Sequence, residues 1–179
     1  FYLETKVTAV SAEGVSIETK DGKTEVLPTS QILLSVGRRP VTDGLGLETL
    51  SIQMNRAAVV VNEYMQTSHP RVYAAGEITG FSMLAHTAIR EGEVAINHIV
   101  GGSDDRMRYD SVPAVVYMHP EIAGVGATEE KLRAEGRYYR VLKLPMAYAG
   151  RYVVENEQAP GLCKVLVDEN DTILGCHIL

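Results

Sequence analysis

No apolar run in this 179-residue chain approaches the roughly 20 residues a helix needs to cross a bilayer, so no segment is read as a membrane span. Phe1-Tyr2-Leu3-Glu4-Thr5-Lys6 lacks the basic region followed by an apolar one that marks a secretory leader. Basic residues are outnumbered, 17 Lys and Arg against 23 Asp and Glu, for a net charge of -6. A nucleic-acid binder normally carries a basic patch, so neither nucleic acid nor membrane is expected as a partner. Cysteine is scarce: Cys163 and Cys176 are the two in the chain, and they fit a reducing compartment, with a cytoplasmic site expected. No histidine pair has metal-ligand spacing with a third partner, so no metal site is expected.

What is present suits a soluble globular protein, with 45% hydrophobic and 22% charged residues and room for one ordinary domain or two small ones. Both ends read as cut. The chain starts at Phe1 without a methionine and stops at Ile178-Leu179, inside an apolar stretch of strand character.

Alternation of polar and apolar residues predicts strands over Lys6–Val10 and Val15–Thr19, then a tight turn at Asp21-Gly22 and a return strand over Lys23–Leu27. Ile32-Leu33-Leu34-Ser35-Val36 is an apolar run of the kind buried on both faces, stopped by Gly37-Arg38-Arg39-Pro40. A loop with one short strand, Ala57–Val61, leads to a buried strand over Arg71–Glu77 and a helix from about Met83 to Val100. Ala85, Ala88, Gly92, Ala95, Ile96 and Ile99 form that helix's apolar stripe, and Gly101-Gly102 ends it. The charged stretch Asp104–Asp110 marks a boundary. Beyond it the pattern predicts a strand over Val112–Tyr117 and a helix capped by Thr128 that ends near Gly136. Further strands are expected over Tyr138–Leu144, Arg151–Glu155, Leu162–Val167 and Thr172–Leu179. That part reads as a mainly antiparallel α+β unit.

Two strand tips carry possible chemistry. Gly37-Arg38 at a strand's carboxyl end is either an edge that lets a ligand approach the backbone or a turn with exposed arginines. Gly76-Glu77, between a buried strand and a helix opening with Met83-Leu84-Ala85-His86, places a carboxylate near free helix N–H groups. It could hold a ribose or sugar-alcohol hydroxyl, or simply cap the following turn.

Taken in order, several segments together resemble the pyridine-nucleotide:disulfide oxidoreductases, and among them the dihydrolipoamide dehydrogenases. These are Ser35–Pro40 with Thr42-Asp43-Gly44-Leu45-Gly46-Leu47, then Val72–Gly80, Met83–His86, Val112–Tyr117 and His119–Gly126. The resemblance covers essentially the whole chain. It implies a fold of partial FAD- and NAD-binding elements followed by an incomplete dimerisation domain: residues 1–40 the tail of the NAD domain, 41–106 the returning part of the FAD domain, and 107–179 the interface domain. It implies that Gly37 and Arg38 lie beside NAD and that Glu77 holds a ribityl hydroxyl of FAD. Met83, Leu84, Ala85 and His86 would present backbone groups to the flavin ring, where the helix dipole stabilises negative charge.

The family usually has aspartate where this chain has Glu77, whose carboxylate reaches roughly 1.5 Å further. The resemblance also implies what is missing: the Gly-rich flavin and NAD turns, the closely spaced redox cysteines, and the catalytic histidine–glutamate pair, which belongs beyond Leu179. The parent is then a homodimeric enzyme passing electrons from dihydrolipoamide through a disulfide and FAD to NAD, associating with 2-oxoacid dehydrogenase or glycine cleavage components. This chain alone holds no catalytic residue and is expected to be inactive. A sibling reductase acting on glutathione or mercuric ion, and a non-catalytic dimerisation or interaction module, remain open alternatives.

Overall fold

The computed structural model describes residues 1–101, 104–156 and 160–179. The chain divides into two units, Phe1–Arg38 and Arg39–Leu179.

In the first unit, strands β1 (Lys6–Ser11), β2 (Gly14–Glu18) and β3 (Thr24–Leu27) form an antiparallel sheet in sequence order. The Asp21-Gly22 turn is closed by Thr19 N–H donating to the Lys23 carbonyl at 2.9 Å, and Ile17 is the buried side chain. The strand expected over Ile32–Val36 does not form. That segment pairs with no strand among the described residues, and Leu33 is 91% exposed. An apolar run of this kind is buried only between neighbouring strands and covering helices, and none flanks it here.

In the second unit a 3-10 turn over Leu47–Leu50 precedes a minimal hairpin, β4 (Met54–Asn55) and β5 (Ala58–Val59), so the short strand expected over Ala57–Val61 is reduced to Ala58–Val59. The strand expected over Arg71–Glu77 is also reduced. Tyr73 bridges Gln66, Thr67 N–H donates to the Val72 carbonyl at 2.9 Å, and Ala74 N–H donates to the Met65 carbonyl at 3.0 Å.

Helix α1 spans Ala85–Ile99. Its buried face is Thr87, Glu91, Val94 and Ala95, at helical spacing, and not the small-residue stripe expected from the sequence. Of that stripe only Ala95 is buried; Ala88 and Gly92 are half-buried, and Ala85, Ile96 and Ile99 are exposed. The helix has apolar residues on more than one side, and the side it buries includes two polar residues whose polar atoms are satisfied locally. Gly101 takes a left-handed conformation after the helix, while Gly102 lies outside the described residues.

Val94, Ala95, Met65 and Met107 form the core of this part of the unit. Met107 belongs to the charged stretch read as a boundary, and that stretch is packed down. Arg90 pairs with Asp105, Asn97 Nδ2 donates to Asp105 Oδ2 at 3.0 Å, and Tyr64 OH donates to Asp104 Oδ1 at 2.8 Å.

Beyond it lies a five-stranded antiparallel sheet in the order β6-β7-β10-β9-β8. Its strands are β6 (Ala114–Val116), β7 (Ile122–Gly126), β8 (Arg140–Pro145), β9 (Leu162–Val167) and β10 (Ile173–Ile178). This is the antiparallel α+β architecture expected. β7 was not read as a strand from the sequence. Helix α2 (Glu129–Ala134) is capped as expected, Thr128 Oγ1 accepting from Lys131 N–H at 3.2 Å. Leu132 of α2 is fully buried, and Lys164 of β9 reaches Glu129 at 3.0 Å.

The expected strand over Arg151–Glu155 is instead helix α3 (Gly150–Asn156). Both edges of β9 are already taken by β8 and β10, so it offers this segment no pairing. Arg151 and Glu155 form an i,i+4 ion pair at 2.8 Å that suits a helix.

The two contacts of α2 are separable in solution. Leu132→Ala is expected to cost about 3 kcal/mol by emptying a buried site, and Thr128→Ala about 1 kcal/mol through the lost cap. Urea denaturation of the two variants checks this; equal costs would mean that α2 is held by its cap and not by packing.

Candidate functional site

The segment from Gly76 to Gly80 is a single 3-10 turn over Glu77–Thr79, entered by Gly76 at φ 88° and left by Gly80 at φ 74°. Both values suit glycine. A Cβ at Gly80 would also stand 2.7 Å from that of Ala58, and one at Gly76 would touch Ala88 in the first turn of α1 at 3.5 Å. The turn is therefore wedged between the small hairpin and the start of the helix.

What holds it is a residue the sequence reading missed. Glu91, fully buried on α1, accepts the Gly76 backbone N–H on Oε2 at 2.5 Å and the Tyr109 hydroxyl on Oε1 at 2.6 Å. The Thr79 hydroxyl lies 2.9 Å from the Gly76 carbonyl and 3.4 Å from Glu91 Oε1. A buried carboxylate is tolerated when donors converge on it. These donors come from the turn and from the segment after the helix. Burial, and then the hydrogen bond to Glu91, push the Tyr109 phenol well above its ordinary range. The available signal was the spacing of Thr87, Glu91 and Val94 on one helical face, masked by the more numerous small apolar residues beside it.

Glu77 does not cap the turn. Its side chain is exposed and makes no hydrogen bond or ion pair among the described residues, while its carbonyl accepts from Gly80 N–H at 3.0 Å. Helix α1 starts after Leu84, which is extended at φ -125° and offers no side-chain cap. The N–H groups of Ala85 and His86 thus lack intrahelical partners, and the first helical bond runs from Ala88 N–H to the Leu84 carbonyl at 3.1 Å. Met83 and Leu84 are half-buried, and Ala85 and His86 are exposed. The His86 ring reaches the Pro113 carbonyl at 2.7 Å; a carbonyl only accepts, so Nε2 carries the proton.

Glu77 and the Met83–His86 segment thus belong to one unit and are tied together through the Gly76 turn and α1. Gly37 and Arg38 belong to the other unit, where both are exposed and Gly37, at φ 99°, faces open space. Three of the other four histidines have local contacts: His98 Nδ1 meets Tyr73 OH at 2.7 Å, His177 Nε2 meets the Ala127 carbonyl at 3.0 Å, and His69 Nδ1 accepts from Arg71 N–H at 3.3 Å. Among the described residues, no group of three or more His, Cys, Asp and Glu side chains could hold a metal ion.

Glu91→Ala leaves the Gly76 N–H and the Tyr109 hydroxyl without their acceptor and should destabilise the chain by about 2–4 kcal/mol. A loss below about 0.5 kcal/mol in urea titration would show that the hub does not hold the turn. The phenol adds a pH signature. The unfolded phenol ionises near pH 10 while the folded one stays protonated, so Tyr109 contributes stability that is complete below about pH 10 and falls as pH rises further. Melting curves of Tyr109→Phe should accordingly lose less stability than the parent chain between neutral and strongly alkaline pH.

Comparison with known proteins fits this geometry. Residues 1–92 match the family model for pyridine nucleotide-disulphide oxidoreductase, and residues 112–179 match that family's dimerisation domain. The whole chain is 43% identical to mitochondrial dihydrolipoyl dehydrogenase of Caenorhabditis elegans, covering 37% of that protein. It is 41% identical to the mitochondrial dihydrolipoyl dehydrogenase of Homo sapiens, covering 36%. The chain thus spans little more than a third of the length of these relatives. Among solved structures, LpdA of Mycobacterium tuberculosis superposes with a TM-score of 0.80 at 29% identity, over 97% of this chain and 38% of that one. The HOCl-induced flavoprotein disulfide reductase RclA of Escherichia coli does so with a TM-score of 0.73 at 27% identity, over 95% and 39%. The expectation of a cytoplasmic site is overturned, since these curated relatives are named as mitochondrial proteins. Fold and similarity agree that the chain belongs to the pyridine nucleotide-disulphide oxidoreductases.

Proposed function

We propose that this chain is the part of a dihydrolipoyl dehydrogenase that contacts the flavin from the side of Glu77 and α1 and carries most of the dimer interface. The observation that carries the reading is the exposed, unpartnered Glu77 carboxylate on a turn locked by Glu91, joined by packing to the uncapped start of α1. A hydroxyl-rich ligand chain needs an acceptor of this kind. A ring that takes up negative charge suits the free N–H groups of a helix N-terminus. These residues fit FAD, whose ring carries the electrons in the whole enzyme. Glu77 holds a ribityl hydroxyl, and Met83, Leu84, Ala85 and His86 line the ring with backbone groups. In the first unit, Gly37 leaves open space for a ligand to approach the backbone, and Arg38 supplies an exposed positive charge suited to NAD.

In domain terms, residues 1–40 are the tail of the NAD domain, 41–106 the returning part of the FAD domain and 107–179 the interface domain. The whole enzyme oxidises dihydrolipoamide with reduction of NAD, works as a homodimer and associates with 2-oxoacid dehydrogenase or glycine cleavage components. The names of the curated relatives favour this substrate over a sibling's, and a mitochondrial setting goes with them. The closely spaced redox cysteines are absent from the sequence, so the chain alone does not turn over.

Titration of the purified chain with FAD, followed by flavin fluorescence, tests the site. Saturable binding is expected, weakened at least about tenfold, or about 1.4 kcal/mol, by Glu77→Ala. No saturable binding, or equal binding by the variant, overturns Glu77 as a flavin contact. In the same preparation, dihydrolipoamide-dependent reduction of NAD should be absent, and robust turnover would sink the claim that the chain is inactive alone.

A further inference from the structure

The cysteines are not used by any step above, yet the sheet brings them together. Cys163 lies on β9 opposite Ile178, and Cys176 lies on β10 opposite Val165. Cys163 and Val165 are two residues apart and so point to the same face. The thiols are therefore diagonal neighbours on one face, both free, both half-buried, with the sulfurs 3.9 Å apart.

Two chemistries are open to such a pair, and the sheet discriminates between them. A disulfide needs the sulfurs at about 2.05 Å and the Cα atoms within about 7 Å. Diagonal positions across an antiparallel pair stand roughly 7–8 Å apart, so closing the bond requires backbone movement. That movement is opposed on both sides. β9 is paired to β8, where Leu144 faces Cys163, and β10 is paired to β7, where Val125 faces Cys176. Just beyond Cys163, Leu162 and Leu179 exchange hydrogen bonds of 2.7 and 2.9 Å. A bridging ion needs no such movement. At a metal–sulfur length of about 2.3 Å, sulfurs 3.9 Å apart subtend roughly 115° at the metal, close to the tetrahedral angle.

We infer that Cys163 and Cys176 form a chelating dithiol site for a soft, thiophilic metal ion, held between the inner strands β9 and β10 of the antiparallel sheet. Thiolate ligands select soft ions over magnesium or calcium. Burial and the contact with Cys163 hold the Cys176 thiol above its ordinary range, so the metal meets a protonated group and must displace the proton. Binding forms two metal–sulfur bonds, breaks two S–H bonds and releases two protons to solvent, with no change of oxidation state. The remaining coordination positions are filled by water or a small external ligand; the adjacent Leu144 is exposed, so the face is open to them.

The test is titration of the reduced 179-residue chain with cadmium(II) without oxidant, following the thiolate-to-cadmium charge-transfer absorbance. One ion per chain is expected, with affinity lowered at least about 100-fold in both Cys163→Ser and Cys176→Ser, and magnesium should produce no competition. Circular dichroism of both variants should be unchanged; because two different single variants are compared, a folding defect in one does not decide the outcome. Absence of the charge-transfer band, or its persistence in either variant, overturns the site. So does rapid loss of both free thiols under mild disulfide-forming conditions, which would show that the strands close to a disulfide after all.

Discussion

The second unit depends on one buried carboxylate. Glu91 gathers the Gly76 N–H, the Tyr109 hydroxyl and the neighbourhood of Thr79 around a fully buried side chain. The partners come from the Gly76–Thr79 turn and from Tyr109 beyond the helix, so one group on α1 sets three positions at once: where the strand tip ends, how the helix lies against it, and where the segment after the helix returns. A carboxylate in that place is costly unless every donor is present. That cost makes the arrangement specific, because a register shift of α1 would bury the charge without partners.

From this hub the candidate site follows by rigid steps. The Gly76–Gly80 turn cannot move away from α1 while Glu91 holds it, and it cannot move toward the small hairpin because Gly80 already lies against Ala58. Glu77 is thereby displayed on a fixed backbone with a free side chain, next to a helix start whose N–H groups are uncapped. The outer part of α1 is different. Ile89, Ile96 and Ile99 are each more than half exposed and play no part in the hub. The helix is thus anchored along one face only.

Local patterns were legible in the sequence where the physics is local. Alternation located β1 and β2, the Asp21-Gly22 turn located β3 behind them, and the Thr128 cap located α2. These depend on neighbouring residues in the chain. Ile32–Val36 and Arg71–Glu77 were read as buried strands because apolar runs report burial but not the partner that provides it. Arg151–Glu155 was also misread: its valines suit a strand, but the segment is helical, with Arg151 and Glu155 paired at i,i+4 spacing. At the site, the Gly76-Glu77 tip and the helix start were visible as motifs. Glu91 was not, because its importance lies in donors 12 to 18 residues away in sequence. Of Met83–His86, read as the helix's opening, Ala85 and His86 form the first turn of α1 while Met83 and Leu84 lie before it, and the face the helix buries was misassigned for want of those same donors.

The rigidity of the turn bears on the glutamate at position 77. The family resemblance places aspartate there, with a carboxylate roughly 1.5 Å nearer the backbone. A flexible loop would absorb the difference by retreating. This one is held on one side by Glu91 and on the other by Ala58, so the extra methylene must be accommodated in the side chain itself. The exposed Glu77 has rotamers to choose from, and fixing one costs on the order of 0.5–1 kcal/mol more than fixing the shorter aspartate. Under the proposed flavin contact, a substitution that looks conservative in charge therefore exchanges a carboxylate placed by the backbone for one that its ligand would have to place. Because Glu91 constrains the turn and not the Glu77 side chain, the proposed flavin contact would feel this change in affinity while the fold around it stays intact.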